Sequence, residues 1–345
     1  MEISEKVTNT DHEKVLIGRD EATGYHGIIA IHSTALGPAV GGTRFWRYAS
    51  EDEALTDALR LSHGMTYKNA LAGLPLGGGK AIILANNGTA DREQVLRAHG
   101  RFIDTLQGSY ITAEDVGTSP EDMEIVRRET PYVAGLLGGS GDPSPKTARG
   151  VFRAIQASSK FLRDTDDLAG VTVALQGCGH VGYPLAKMLH DAGAKLIVTD
   201  VNTNNSSRVA AEFGAELVQP DEIFSVQAEV FAPCALGGII NDQTIPELKV
   251  TIVAGAANNQ LLEERHGEML RARGILYAPD YVANAGGILN GSTELLDWKP
   301  ADAARKINEI YDTLLRIYES AKAQGITTNK AADLLAEEVL HRGVK

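Results

Sequence analysis

Two lysines twelve positions apart, Lys68 and Lys80, sit in glycine-rich, otherwise apolar sequence. The stretch GMTYKNALAGLPLGGGK runs from Gly64 to Lys80, with GGTRFW before it at Gly41–Trp46 and TAEDVGT after it at Thr112–Thr118. Lysine is rarely buried, because its charged form loses water and its pKa falls. Two lysines in small-residue surroundings, with Asp115 downstream, suggest one cation that grips an anion and one amine poised for proton transfer. Residue type alone leaves a second reading open, in which both are solvated side chains flanking loops.

The spelling of the whole stretch resembles the Glu/Leu/Phe/Val dehydrogenase family, and within it the leucine-type enzymes. The resemblance covers nearly the whole chain. It implies that Lys68 binds a substrate carboxylate, Lys80 activates the catalytic water and Asp115 partners the chemistry. It also implies a carboxylate-side backbone at Gly41 and Gly42, and a pocket of Val40, Met65, Ala113, Asn284, Ile288 and Gly291 around the rest of the substrate. The chemistry is consistent with these residue types. An α-amino acid offers a carboxylate to a fixed cation, and its amine must be neutral before hydride leaves the α-carbon. The resulting imine is hydrolysed by water, which needs a base with a pKa near the working pH. A desolvated lysine beside another cation is one way to obtain such a base.

At 345 residues the chain fits two domains, each able to bury its own core. Hydrophobic residues make up 43% and charged ones 23%, as in ordinary globular proteins. A net charge of −12 argues against a nucleic-acid or anionic-membrane surface. No apolar run approaches the ~20 residues of a membrane span, and MEISEKVTNTDHEK at the start has no apolar core for a signal peptide. Only two cysteines occur, Cys178 and Cys234, so a reducing cytoplasm is the expected location.

Elements follow from periodicity. GIIAIHS (Gly27–Ser33) reads as a strand, and apolar residues recur at helical spacing from Asp52 to His63, with Met65 and Lys68 on or just past that helix's end. KAIILAN (Lys80–Asn86) reads as a strand that Lys80 begins. A further helix covers Val95 to Leu106, and Ser119-Pro120-Glu121 reads as a helix start. GLLGGSGDPSP (Gly135–Pro145) is the best boundary, and after it strands and helices alternate. Strands are expected at Val171–Gln176, Lys195–Asp200 and from Ala228, Val250 and Ile275, with helices at Val181–Asp191 and Ala301–Ala323. The fold class is therefore α/β with two domains: an N-terminal α/β substrate domain over 1–140, and a Rossmann-type, doubly wound NAD-binding domain over 141–324. The family likeness adds oligomerisation to the first domain and returns the tail, about 325–345, onto it.

GCGHVG (Gly177–Gly182) fits the G-x-G-x-x-G fingerprint between an expected strand and an expected helix. Gly177 allows the tight turn, Gly179 lets backbone approach a pyrophosphate and Gly182 lets helix and strand pack closely. His180 and Val181 complete the loop, whose helix N-terminus offers free N–H groups to phosphate. Asp200 ends the next strand, where it can accept from ribose hydroxyls and repel a 2′-phosphate, and no basic residue follows before Arg208. The cofactor is thus expected to be NAD. The last three strands are expected to end at Cys234, Ala254 and Asn284, and resemblance makes these endings cofactor-side loops that include Ala235, Ala256 and Asn258, with Asn259 near the nicotinamide ribose, Asn284 near the carboxamide or the substrate, and Thr147 against the nicotinamide.

Other signals fail. LPLGGGKA lacks the first glycine and the Ser/Thr of a P-loop, and GGSGD is not a nucleophile elbow. The nine histidines have no metal-ligand spacing, so no metal is expected. Three functions remain: an NAD-dependent amino-acid dehydrogenase, another nicotinamide enzyme acting on a hydroxy acid, and a non-catalytic NAD sensor. The first is favoured because site and fold signals agree. It implies an L-amino acid, 2-oxo acid and ammonia as small-molecule partners, and a homo-oligomer. The apolar pocket favours a branched or long aliphatic substrate, with aromatic ones second. Leucine-type enzymes carry a valine where Gly291 stands and a leucine where Val40 stands, so this pocket is expected to be longer or wider.

Overall fold

A computed structural model describes residues 10–85 and 91–343. Met1–Asn9, read above for the lack of an apolar leader, and Asn86, read as a strand end, lie outside the described residues. The chain separates into two compact units. The first comprises Met1–Gly141, Gly291–Asp297 and Ala336–Lys345, and the second Asp142–Asn290 and Trp298–Leu335.

The first unit opens with β1 (Lys14–Asp20), β2 (Tyr25–Ser33) and β3 (Ala39–Trp46). Helix α1 (Glu51–Leu71) follows, then β4 (Gly77–Leu84), α2 (Arg92–Asp104), β5 (Tyr110–Glu114) and α3 (Pro120–Arg127). The sheet order is β1-β2-β4-β3-β5, with β3 parallel to both β4 and β5. Both faces are covered, and β2 shows why GIIAIHS is nearly all apolar. Its Ile29 and Ile31 enter a core with Leu96, Ile103, Tyr110 and Val126, while Ile28 and Ala30 enter another with Leu55, Ala58 and Leu59. Alternate strand residues point to opposite faces, so a doubly covered strand loses its polar alternation.

Two local expectations change. Helix α1 does not stop near His63. Buried Thr66, Tyr67, Ala70 and Leu71 carry its inward face past Gly64, so Met65 and Lys68 lie inside it. Lys80 does not begin β4 but sits at its middle, opposite Ala30. Gly77 and Gly78 already pair with Ala39 and Val40. Glycine carries no side chain to reveal a strand's alternation, which hid this extension. The expected cap at Ser119 is present as a full capping box with Asp122.

The second unit begins with α4 (Ser144–Arg163), β6 (Thr172–Gln176), α5 (Gly182–Asp191), β7 (Lys195–Thr199) and α6 (Thr203–Phe213). Strands β8 (Glu216–Leu217), β9 (Val230–Pro233) and β10 (Ile252–Val253) follow, then α7 (Arg265–Ala272) and β11 (Leu276–Tyr277). The parallel sheet has the order β11-β10-β9-β6-β7-β8. Chain direction across the sheet reverses between β6 and β9, the switch point at which such sheets bind ligands. Helices α8 (Asp280–Ala283), α9 (Gly286–Leu295), α10 (Pro300–Gln324) and α11 (Thr328–Arg342) close the chain. Asn284 therefore caps α8 instead of ending a strand, and its NAGG stretch leads into a helix rather than a loop.

Candidate active site

Lys80 is 5% exposed, and its Nζ donates to Asp115 Oδ2 at 2.7 Å. Burial pushes the lysine down from its ordinary value, against the pull of the Asp115 charge. Burial alone would raise the Asp115 carboxyl, but Lys80 and Arg44 hold it below the usual range. Asp115 follows β5 directly and is fixed by its backbone N–H, which donates to Thr118 Oγ1 at 2.9 Å. Glycine is required beneath the pair. A methyl built on Gly41 would lie 1.7 Å from the Gly79 carbonyl oxygen, and one on Gly42 would lie 2.8 Å from Asp115 Cβ.

Val40 is buried in β3, Met65 and Lys68 are half-buried on α1, and Ala113 is half-buried in β5. Ile288 is half-buried on α9, and a methyl on Gly291 of the same helix would meet nothing within 4 Å. Three residues of the first unit that the sequence reading did not single out join Lys80 and Asp115. Arg44 donates through Nε to Asp115 Oδ2 at 3.0 Å and through Nη1 to Asp57 Oδ2 at 2.8 Å, and Tyr48 donates to the same Asp57 oxygen at 2.6 Å. The signal was available: Arg44 is the arginine of the GGTRFW stretch.

In the second unit, Gly177 adopts φ +93°, and its N–H donates to Thr199 O at 2.8 Å. A methyl on Gly182 would lie 1.8 Å from the Gly177 carbonyl oxygen, whereas one on Gly179 would meet nothing within 4 Å. The loop is thus tight where strand meets helix and open where a phosphate would approach. His180 is exposed and Val181 caps α5. Asp200 Oδ2 accepts the Cys178 N–H and its Oδ1 the Asn202 N–H, both at 2.7 Å, so backbone aims the carboxylate. Burial pushes the Cys178 thiol up to about 12, which suits a filler and not a nucleophile.

Asn284 Nδ2 donates to Ala256 O at 3.1 Å and to Asn258 Oδ1 at 2.7 Å, while its buried Oδ1 has no partner. Asn259 is exposed at φ +52°, and its carbonyl accepts the Gly238 N–H at 2.7 Å. Ala235 is exposed on the loop after β9, and Thr147 lies in the first turn of α4, where its hydroxyl donates to Pro143 O at 3.1 Å. The open glycine loop and the unpartnered Asn284 oxygen fit a dinucleotide. Among the described residues, ligand atoms of Asp242, Glu263 and His266 come within 4.8 Å of one another. Arg265 already binds both carboxylates, and the Glu263 N–H donates to His266 Nδ1 at 2.9 Å.

Residues 12–132 match the model of the Glu/Leu/Phe/Val dehydrogenase dimerisation domain, and 138–205 with 197–342 match that of the Glutamate/Leucine/Phenylalanine/Valine dehydrogenases. The chain belongs to this family. It is accordingly an oxidoreductase of the amino-acid dehydrogenase class, and dehydrogenases of the family are nicotinamide-dependent. It is 54% identical to the leucine dehydrogenase of Thermoactinomyces intermedius, over 98% of this chain and 93% of that one. It is 49% identical to the L-tryptophan dehydrogenase of Nostoc punctiforme, over 98% and 96%. The crystal structure of L-tryptophan dehydrogenase from Nostoc punctiforme superposes with a TM-score of 0.89 at 47% identity, covering 99% of both chains. A hetero-hexameric glutamate dehydrogenase from Thermus thermophilus, at 22% identity and a TM-score of 0.76 over 97% and 91%, shares the fold. No helix among the described residues is long and apolar enough to cross a membrane.

Proposed function

We propose that this chain catalyses the reversible, NAD-dependent oxidative deamination of a branched or long aliphatic L-amino acid to a 2-oxo acid, ammonia and NADH. The observation that carries the reading is the 2.7 Å Lys80–Asp115 pair, a buried amine held against a half-buried carboxylate. NAD, when bound, supplies the hydride acceptor. Lys68 holds the substrate carboxylate as a fixed cation. Lys80, neutral once its proton has left, takes a proton from water as that water attacks the imine carbon. Asp115 keeps the amine oriented and exchanges protons with the departing nitrogen. Gly177, Gly179, Gly182 and the α5 N-terminus hold the pyrophosphate, with His180 and Val181 beside it. Asp200 accepts from the adenosine ribose and excludes a 2′-phosphate. Asn284, with its unpartnered oxygen, holds the nicotinamide end together with Thr147, Ala235, Ala256, Asn258 and Asn259. The first unit mediates homo-oligomer formation, and the enzyme works in the cytoplasm.

A second reading, an aromatic amino-acid substrate, is supported by the open space around Gly291 and by the likeness to L-tryptophan dehydrogenase. The test is a panel of the standard L-amino acids with NAD, followed at the NADH absorbance band. Leucine, valine and their neighbours should give the highest kcat/KM. In reverse, NADH should be consumed only with both 2-oxo acid and ammonia present. Consumption with a 2-oxo acid alone would point to a hydroxy-acid dehydrogenase and overturn the proposal.

A further inference from the structure

We propose that Arg44, paired on its far side with Asp57, is a positioning residue that shares the Asp115 carboxylate with Lys80 and so keeps the lysine from being locked in its protonated form. The inference rests on Lys80 acting as the base.

The geometry is a chain of charges. Asp115 Oδ2 accepts from Lys80 Nζ at 2.7 Å and from Arg44 Nε at 3.0 Å, so two cations divide one oxygen. The Arg44 side chain is 23% exposed and Asp57 15%, which places the arginine where its field is only partly screened. On its far side Arg44 Nη1 meets Asp57 Oδ2, which also accepts the Tyr48 hydroxyl. Lys80 and Asp115 alone would form a closed pair, and a carboxylate that close favours the ammonium. A lysine held that way cannot take a proton from water near neutral pH. Arg44 opposes this twice, by drawing on the shared oxygen and by placing a second positive charge beside the amine. The lysine is pushed down by burial first, then drawn up by Asp115, down by Arg44 and up by Asp57. Arginine suits the task because its guanidinium does not lose its own proton and its fork reaches two carboxylates at once.

Arg60, on the same helix as Asp57, lies 3.5 Å from the other Asp57 oxygen and is mostly exposed. Tyr48 and Tyr110 are both pushed up by burial and stay neutral. Tyr110 donates to the Gly41 carbonyl on β3, the strand that also carries Arg44. Glu114 is exposed, and Lys68 is half-buried on α1.

The test is the pH profile of kcat/KM for the full-length enzyme. Arg44→Met removes the charge, so the rising limb should move to higher pH. Activity at neutral pH should then fall about tenfold or more and recover as pH rises, since tenfold is the rate equivalent of one pH unit on a titrating base. Arg44→Lys retains the charge and should restore the limb's position while kcat stays reduced. Asp57→Asn removes an anion and should move the limb the opposite way, to lower pH. Tyr48→Phe changes no charge and should leave the limb in place. Opposite movements in Arg44→Met and Asp57→Asn are the signature that loss of packing cannot imitate. If both variants are folded and their limbs coincide with wild type, the proposal is overturned. If Arg44→Met fails to fold, Arg44→Gln takes its place, with the same upward shift expected and an unmoved limb overturning the proposal. Lys80→Ala is the separate control: if it keeps wild-type kcat and the same limb, the assignment of Lys80 as the base has failed, and not merely the role of Arg44.

Discussion

The ion pair between Lys80 and Asp115 joins β4 to the residue just past β5, two strands that are not neighbours. Strand β3 lies between β4 and β5, and the two side chains meet across its glycine pair. Because a Cβ on Gly42 would sit 2.8 Å from that of Asp115 and 2.5 Å from the Glu114 carbonyl oxygen, the pair's spacing depends on what β3 lacks.

Gly42→Ala should therefore displace Asp115 and lower kcat by about tenfold to 10²-fold, the cost of an ångström-scale misplacement at a reacting centre. Lys80→Ala and Asp115→Asn should lower kcat by roughly 10²-fold or more. Lys68→Ala should chiefly raise KM, because a carboxylate clamp acts in ground and transition states alike. Steady-state kinetics on the four variants check this, and equal, mild effects from all of them would sink the assignments.

The stability of the first unit should fall with acid because of His99. This histidine is fully buried, with Nδ1 2.9 Å from the Tyr25 hydroxyl and Nε2 2.8 Å from Thr43 Oγ1. Burial pushes it down to about 3 from an ordinary 6.5. Between those values the unfolded chain binds a proton that the folded chain does not, so stability rises with pH across the window and is lost as pH falls through it. His12, lowered to about 4 by burial first and then by the His32 charge, adds in the same direction. The Tm should drop as pH goes from 7 to about 4. A substitution of His99 by Gln should flatten that dependence even if it lowers Tm throughout. A Tm that holds constant over this range would contradict the burial argument.

Legibility of the sequence tracked the physics of each residue. The βαβ alternation was readable because short apolar runs and the G-x-G-x-x-G spacing each encode one local geometry, and the parallel sheet has the reversal at β6 and β9 that such sheets use. Strand β3 gave no such sign, since Ala39, Gly41 and Gly42 have too little side chain to alternate. Gly64 breaks the apolar pattern of helix α1 in the same way and hides its continuation to Leu71. Arg44 was visible in the motif, but its partners Asp57 and Tyr48 are neighbours only after folding. The His99 network with Tyr25, Thr43 and Thr112 was likewise hidden, because its members are scattered from residue 25 to residue 112.

Cofactor choice should hinge on the Asp200 charge. Its carboxylate is aimed by the Cys178 and Asn202 N–H groups, so Asp200→Asn keeps the side chain's size while removing the repulsion toward a 2′-phosphate. The ratio of kcat/KM for NAD to that for NADP should fall in Asp200→Asn and fall further in Asp200→Ala, which also loses the ribose acceptor. A wild-type enzyme that preferred NADP would refute the reading directly.

Substrate size should respond to Gly291. The residue sits on α9, where a built methyl meets nothing within 4 Å, so a larger side chain enters open space and not packed backbone. Glycine is also the poorest helix former after proline, by about 1 kcal/mol against alanine. Gly291→Val should therefore not destabilise the fold, and any change in specificity can be read as local. If Gly291 borders the substrate side chain, the valine fills volume that large substrates need. A methylene-sized mismatch in an apolar pocket costs about 1–3 kcal/mol, or roughly 10- to 200-fold in discrimination. The ratio of kcat/KM for phenylalanine and tryptophan to that for valine and leucine should drop by a factor of roughly 10 to 200, with methionine between. Thermal unfolding of the same variant shows whether the fold was kept. A wild-type ratio in a stable Gly291→Val enzyme would remove Gly291 from the pocket and leave its difference from the leucine-type pattern without a role in specificity.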